Sequence, residues 1–393
     1  MKNMIGIDEI VSVIDSVLPE VAPLIKQVGD NPETGYDEKF ACKLQMDFLQ
    51  SQGFAMKKSV GGLETAFRGD WSNGEAACTV GLLTEYDALP APLGHACGHQ
   101  LIMGAGLMAV LATQKLMNKY NIHGKIAALG CPGEEQLGGK LRMLEDGTFA
   151  DVNVALLSHP FFRNGVTKNV LAVSRFDVEF FGQSAHASTA PEQGINALDA
   201  MTIFMSGLNA WRQQLPVEAK VHGIITNGGA AANVIPDYTS GFFYVRSKNN
   251  EEHKIVERRF NEIAQGAAMV AGCKVKVTRH DNFYSAGKPD TALTEAAEAI
   301  MADMDLEVNK NIKEPLSTDF ANVCDALPGV NIYFDVTGGK PLALHSLEFK
   351  AAAAAPEALR NTCQAAAVMT KLALDYLTNE EFRSRVGLST TGV

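Results

Sequence analysis

GKIAALGCPGEEQLGGK, residues 124–140, is an apolar strand that runs directly into two adjacent carboxylates. The run from Gly124 to Gly130 does not alternate between polar and apolar positions. A strand of that kind is covered on both faces, as in a parallel sheet sandwiched by helices. The same grammar recurs on either side. Ala77 to Thr84 is continuously apolar and ends at Glu85 and Asp87, and Val152 to Leu157 is followed by Ser158-His159-Pro160. Helical spacing of apolar residues fills 7–29, 38–52 and 103–117. Buried strands interleaved with helices predict an α/β fold with a mostly parallel sheet flanked by helices. In such sheets the binding crevice lies beyond the carboxyl ends of the strands, where these polar residues sit.

The middle of the chain reads differently. Leu171 to Phe181 alternates as a half-exposed strand, a helix follows over 194–213, and strands are expected at 220–226 and 239–247. A helix at 251–271 and a strand at 273–279 complete a β-α-β-β-α-β order, which predicts a ferredoxin-like α+β unit. From about Pro289 the helix–strand alternation resumes, and one helix is expected to open at Ala351 and run to about Tyr376. The simplest architecture is a discontinuous domain, 1–169 plus 287–393, with an inserted domain at 170–286.

Composition narrows the function. The 34 basic and 45 acidic side chains give a net charge of −11, which argues against a nucleic-acid partner. No run of roughly 18 apolar residues is evident, so no membrane span is expected. The N-terminal stretch reads as an amphipathic helix, not a signal peptide. The seven cysteines are scattered and odd in number, the pattern of a reduced, cytoplasmic protein.

Chemistry concentrates in four short segments. Gly94-His95-Ala96-Cys97-Gly98-His99 packs a thiol and two imidazoles into one turn; soft ligands of this kind suit zinc and its neighbours. Glu134 and Glu135 repel each other unless a cation or a proton lies between them. Ser158-His159-Pro160 and Leu344-His345-Ser346 add two more imidazoles. Any one of these alone reads as a turn or a structural histidine. Together, Cys97, His99, Glu135, His159 and His345 offer five ligands spread along the chain, which suits a catalytic centre more than a compact structural zinc site. Five ligands with one bridging can hold two metals, leaving Glu134 as general base.

GHACGH, PGEEQLGG, SHP, GQSAHASTAPEQGINALDA, ANVIPD and LHSLEF occur in that order over nearly the whole chain. The sequence thereby resembles the aminoacylase, carboxypeptidase G and acetylornithine deacetylase family of two-metal peptidases and amidohydrolases. It is most similar to the branch with aminobenzoyl-glutamate hydrolases, hippurate and indoleacetyl-amino-acid hydrolases and dipeptidase-like proteins. The resemblance implies a zinc-peptidase-like catalytic domain with a lid or dimerisation insert. It also implies two divalent ions, zinc first with manganese or cobalt as alternatives, on Cys97, His99, Glu135, His159 and His345, with Glu134 catalytic. His186 matches a histidine that completes the active site, in its own chain or a partner's, while Asn233 and Arg246 match substrate-holding positions. From spacing alone, His186 and Asn233 read as turn residues and Arg246 as a solvated strand position. Many members carry His-x-Asp after the early strand. Here the sequence is Thr84-Glu85-Tyr86-Asp87, so His99 substitutes and Glu85 or Asp87 is expected to orient a ligand from behind. Ser317-Thr318-Asp319-Phe320 matches a family segment without an assigned chemistry.

The implied reaction is hydrolysis of the amide bond of an N-acyl amino acid or dipeptide, in a homodimer or larger homo-oligomer built through the insert. Three other readings remain open at this level. They are a broader aminopeptidase, dipeptidase or endopeptidase, a thiol enzyme using Cys97 and His99, and a non-enzymatic binding protein on the same fold.

Overall fold

In the computed structural model, which describes residues 5–168, 170–312, 314 and 316–388, strand pairing builds two separate sheets. The chain divides into two units: 1–169 with 287–314 and 318–393, and 170–286 with 315–317.

The first unit contains α1 (Ile7–Asp30), α2 (Lys39–Ser51), β1 (Ala55–Lys58), β2 (Phe67–Asn73), β3 (Thr79–Glu85), α3 (His99–Tyr120), β4 (Gly124–Cys131), α4 (Gly139–Glu145), β5 (Val154–Phe161) and β6 (Asn164–Val166). The second contains β7 (Ala172–Phe181), α5 (Ala197–Trp211), β8 (Lys220–Asn227), β9 (Tyr238–Ser247), α6 (Asn250–Ala271) and β10 (Lys274–Arg279). The chain then returns to the first unit as α7 (Thr291–Asp303), β11 (Val308–Asn309), α8 (Phe320–Ala326), β12 (Gly329–Asp335), α9 (Leu347–Ala353), α10 (Pro356–Thr378) and α11 (Glu380–Arg385).

The first sheet has the order β1-β2-β4-β3-β5-β12-β6-β11. Its centre, β4-β3-β5-β12, is parallel, as the apolar runs predict, while β1, β2 and β6 pair antiparallel toward the edges. Alternate residues explain those runs. Val80, Leu82, Ile126, Ala128, Val154 and Leu156 enter the core beneath α1, α3 and α10. Leu83, Ala127, Leu129, Ala155 and Leu157 enter a second core with Met143 of α4 and Phe320 and Val323 of α8.

Three expectations need correction. The strand expected to end at Leu157 continues to Phe161, because β12 pairs beside it through Tyr333–His159 and Phe334–Pro160. His159 therefore lies within a strand. The helix expected over 351–376 is two helices. Ser346 caps α9, and Pro356 starts α10 because proline has no N–H to donate backward and biases Ala355 out of the helical region. Finally, α3 is long and apolar enough to cross a membrane by length and composition, yet 94% of that window is buried, so it serves as a core helix.

The second unit has the order β10-β7-β9-β8, antiparallel throughout, with α5 and α6 on one face. This is the ferredoxin-like arrangement expected from the element order. Its core holds a polar thread. Ser174 Oγ lies 2.8 Å from His253 Nε2, Glu257 lies 3.2 Å from the same nitrogen, and Arg279 Nε donates to Glu257 at 2.8 Å. Burial raises the Glu257 carboxyl, but hydrogen bonds from His253, Ser174 and Arg279 outweigh it and bring its pKa down to about 2. A depressed folded-state pKa stabilises the fold above the unfolded value and loses that contribution as pH falls toward 2. Glu257→Gln should therefore lower the melting temperature of the full chain at pH 7. The gap from wild type should close in a pH series approaching 2, measured by thermal denaturation.

Candidate active site

The turn at 94–98 feeds α3. Gly98 has φ 76°, and a Cβ there would stand 2.6 Å from Pro160 Cγ, so only glycine fits. The turn leaves Cys97 Sγ 3.5 Å from His159 Nε2. His159 Nδ1–H donates to its neighbour's carbonyl, Pro160 O, at 2.8 Å, which commits Nε2 to the sulfur side. His99, fully buried at the start of α3, donates from Nδ1 to Asp87 Oδ1 at 2.9 Å. Its Nε2 then faces Glu135 Oε1 at 3.7 Å. His345 sits at φ 63° and its backbone N–H donates to Ala96 O at 3.0 Å, tying its loop to the cysteine turn. Its Nε2 lies 3.2 Å from Glu135 Oε2.

Three trios of ligand atoms result, each within 4.8 Å: Cys97–His99–His159, Cys97–Glu135–His345 and His99–Glu134–Glu135. His99 Nε2 and Glu135 Oε1 are buried without a protein hydrogen-bond partner. Buried polar atoms left so cost ~1–3 kcal/mol each, and a cation would satisfy both. The donor set of sulfur, imidazole nitrogen and carboxylate oxygen fits zinc-like ions.

Burial, followed by the charges of Glu85, Glu135 and Asp319, pushes the Glu134 carboxyl well up. Burial would raise Glu135 too, but its bond to His345 and the His99 charge hold it below the usual range. Adjacent carboxylates are thus driven apart in proton affinity, the arrangement that separates a proton carrier from an ion holder. Burial and Glu135 push the Cys97 thiol well up. A thiol nucleophile needs the reverse surroundings.

Of the two acids expected behind the ligands, Asp87 fits. It takes His99 on Oδ1 and the backbone N–H of Glu135 on Oδ2 at 3.0 Å. Glu85 instead pairs with the buried Lys140 at 2.6 Å. His186, Asn233 and Arg246 lie in the second unit. His186 bridges Val234, and Ala187 N–H donates to Asn233 O at 3.1 Å, so the histidine and asparagine loops are joined. His186 Nδ1 accepts from the backbone of Ser188 and Thr189, each at 3.3 Å, which leaves its proton on Nε2. Arg246 donates to Ser317 Oγ at 2.9 Å.

Residues 173–281 match a peptidase dimerisation domain. The human Xaa-Arg dipeptidase is 30% identical over 386 residues, covering 94% of this chain and 88% of that protein. A p-aminobenzoyl-glutamate hydrolase polypeptide from Escherichia coli is 32% identical over 69% of this chain and 59% of its own. Among solved structures, a dinuclear metal-binding peptidase of the M20 family from Bacillus subtilis superposes with a TM-score of 0.68 at 20% identity, over 91% of this chain and 99% of that one. The chain belongs to the M20 peptidase family. As an M20 protein it is a metal-dependent amidohydrolase, and the binding-protein alternative falls away.

Glu38 and Lys140 of this M20 site carry no signal in the sequence, and Asp319 stood there only in a matching segment without assigned chemistry. Glu38, fully buried, accepts Gly133 N–H on Oε1 at 2.8 Å and the Thr65 hydroxyl on Oε2 at 3.0 Å. Burial, then the Asp87 charge, raises its pKa to about 7. Asp319 accepts Lys140 N–H at 3.0 Å and Lys140 Nζ at 2.5 Å, so the STDF segment does have a role. With Asp87 on Glu135 N–H, three buried carboxylates grip the backbone of the segment bearing Glu134. Acids around a helix start are common in sequence, and only pairing across 179 residues reveals this one. Lys140→Met would leave Glu85 and Asp319 buried and facing each other. Its expected cost is ~3–5 kcal/mol of unfolding free energy, read by chemical denaturation.

Proposed function

We propose that the protein hydrolyses N-acyl amino acids or dipeptides bearing a free α-carboxylate, using two divalent ions, with zinc the first choice. The reading is carried by Cys97, whose sulfur belongs to two separate ligand trios. In this assignment Cys97, His99, Glu135, His159 and His345 would hold the two ions between them. When bound, such ions supply Lewis-acid polarisation of the amide carbonyl and activation of water. Glu134 takes the proton of the attacking water and returns it to the leaving amine, a role supported by its place beside His99 and Glu135 in one trio. His186 donates from Nε2 to the developing oxyanion, the tautomer its Nδ1 contacts support. Asn233 holds the amide, and Arg246 holds the α-carboxylate. The names of the relatives, a dipeptidase and an aminobenzoyl-glutamate hydrolase, support this substrate class.

The second unit is proposed to pair two copies through β8, an edge strand whose Ile224 and Ile225 are 64% and 43% exposed. A charge there should break the pair: Ile225→Lys is expected to halve the mass seen by light scattering, whereas an unchanged mass would move the interface elsewhere.

Two measurements test the chemistry. Glu134→Gln should lower turnover of N-acyl amino acids by ~10²–10⁴ while metal content by elemental analysis stays unchanged. His99→Ala and His159→Ala should lower metal content and activity together, and full activity in chelator-stripped protein would refute the assignment.

A further inference from the structure

On the helix-free face of the second sheet, two guanidinium groups flank one phenol ring. Arg175 and Arg246 have their Cζ atoms 5.4 and 5.5 Å from the Tyr244 ring centre. The register explains it. Arg175 on β7 and His222 on β8 both pair with Tyr244 on β9, while Lys220 pairs with Arg246 one row along. A third aromatic, Tyr284, lies 4.5 Å from Arg175 Cζ.

Neither guanidinium has a carboxylate ion-pair partner among the described residues. Arg175 Nη1 donates to Asn282 O at 3.0 Å, and its buried Nε has no partner. Arg246 is held by Ser317 Oγ at 2.9 Å and approaches His222 Nε2 at 3.4 Å. The acids on this face are engaged further along: Asp177 with His280 at 2.9 Å, and Glu179 with the Tyr238 hydroxyl and with Lys276. Arginine stays charged under all ordinary conditions, so burying two beside each other without a counter-ion is unfavourable. The Tyr rings offset part of that through cation–π contact. An anion at this end of the sheet would relieve the rest.

We propose that Arg175 and Arg246 form a dicationic recognition site for an acidic amino acid. In this site Arg246 takes the α-carboxylate of the leaving residue, and Arg175 supplies the positive potential that favours a second, side-chain carboxylate. The site selects N-acyl glutamate or aspartate and rejects a cationic leaving residue such as arginine. This rests on the reading of the enzyme as a hydrolase of N-acyl amino acids, and it goes further by naming which residue is released.

The test is calorimetric binding of N-acetylglutamate, N-acetylglycine and N-acetylarginine to the full-length Glu134→Gln protein, together with wild-type turnover of the same compounds. N-acetylglutamate should bind at least ~10-fold more tightly than N-acetylarginine, a ratio that shrinks as ionic strength rises. Arg175→Met should collapse the ratio, and Arg175→Lys, which keeps the charge, should preserve most of it. The salt series on unaltered Arg175 keeps the proposal open to refutation even if Arg175→Met fails to fold. Equal binding of the glutamate and arginine compounds, or a ratio untouched by Arg175→Met, overturns the inference. Turnover of all three compounds without acidic preference overturns it while leaving the proposed function intact. Acidic-selective binding with no turnover of any of them supports this site and refutes the proposed function.

Discussion

The candidate site depends on the grip of three buried carboxylates on one stretch of backbone. Glu38, Asp87 and Asp319 each accept an amide N–H from the segment Gly133 to Lys140. A loop after a strand is ordinarily the most mobile part of an α/β fold. Here its amides are satisfied from beneath, so Glu134 and Glu135 stand on a fixed base. Fixed placement matters for a catalytic carboxylate, because geometry lost at the reacting atoms is lost directly in rate.

The arrangement concentrates negative charge where water is scarce. Glu85 and Asp319 share the single cation of Lys140, and Glu134 feels what remains uncompensated. Such clustering is costly in the bare chain, and cations held at the trios around Cys97 would relieve it. The same logic with opposite sign holds in the second unit, where Arg175 and Arg246 sit without counter-ions. Within each unit, like charges brought together in a buried place favour a counter-charge.

Histidine tautomers illustrate how local contacts prepare chemistry. His99 and His159 each commit Nδ1–H to an oxygen, which frees Nε2 to act as a ligand. His186 does the reverse: its Nδ1 accepts backbone N–H groups, so its Nε2 is a donor. Imidazoles of identical composition are thereby given opposite tautomers by the atoms behind them.

The amino-acid sequence by itself determined the layered α/β core, because a continuous apolar run can be satisfied only when both faces of a strand are covered. It also determined the ferredoxin-like order of the middle segment, because alternation with period two reports a one-sided sheet. The potential ligands Cys97, His99, Glu135, His159 and His345 were legible as types unsuited to apolar surroundings. The tertiary structure decided what pairing across the chain controls. β12 beside β5 drew His159 into a strand, and Pro356 split the last long helix. Asp87 rather than Glu85 took the position behind His99, because Lys140 already held Glu85. Glu38, Lys140 and Arg175 carry no local signal, and Asp319 was legible only as part of a matching segment, since a buried charge is recognised only by the partner it meets or lacks. That partner is set by how elements distant in sequence pack, and periodicity does not record it.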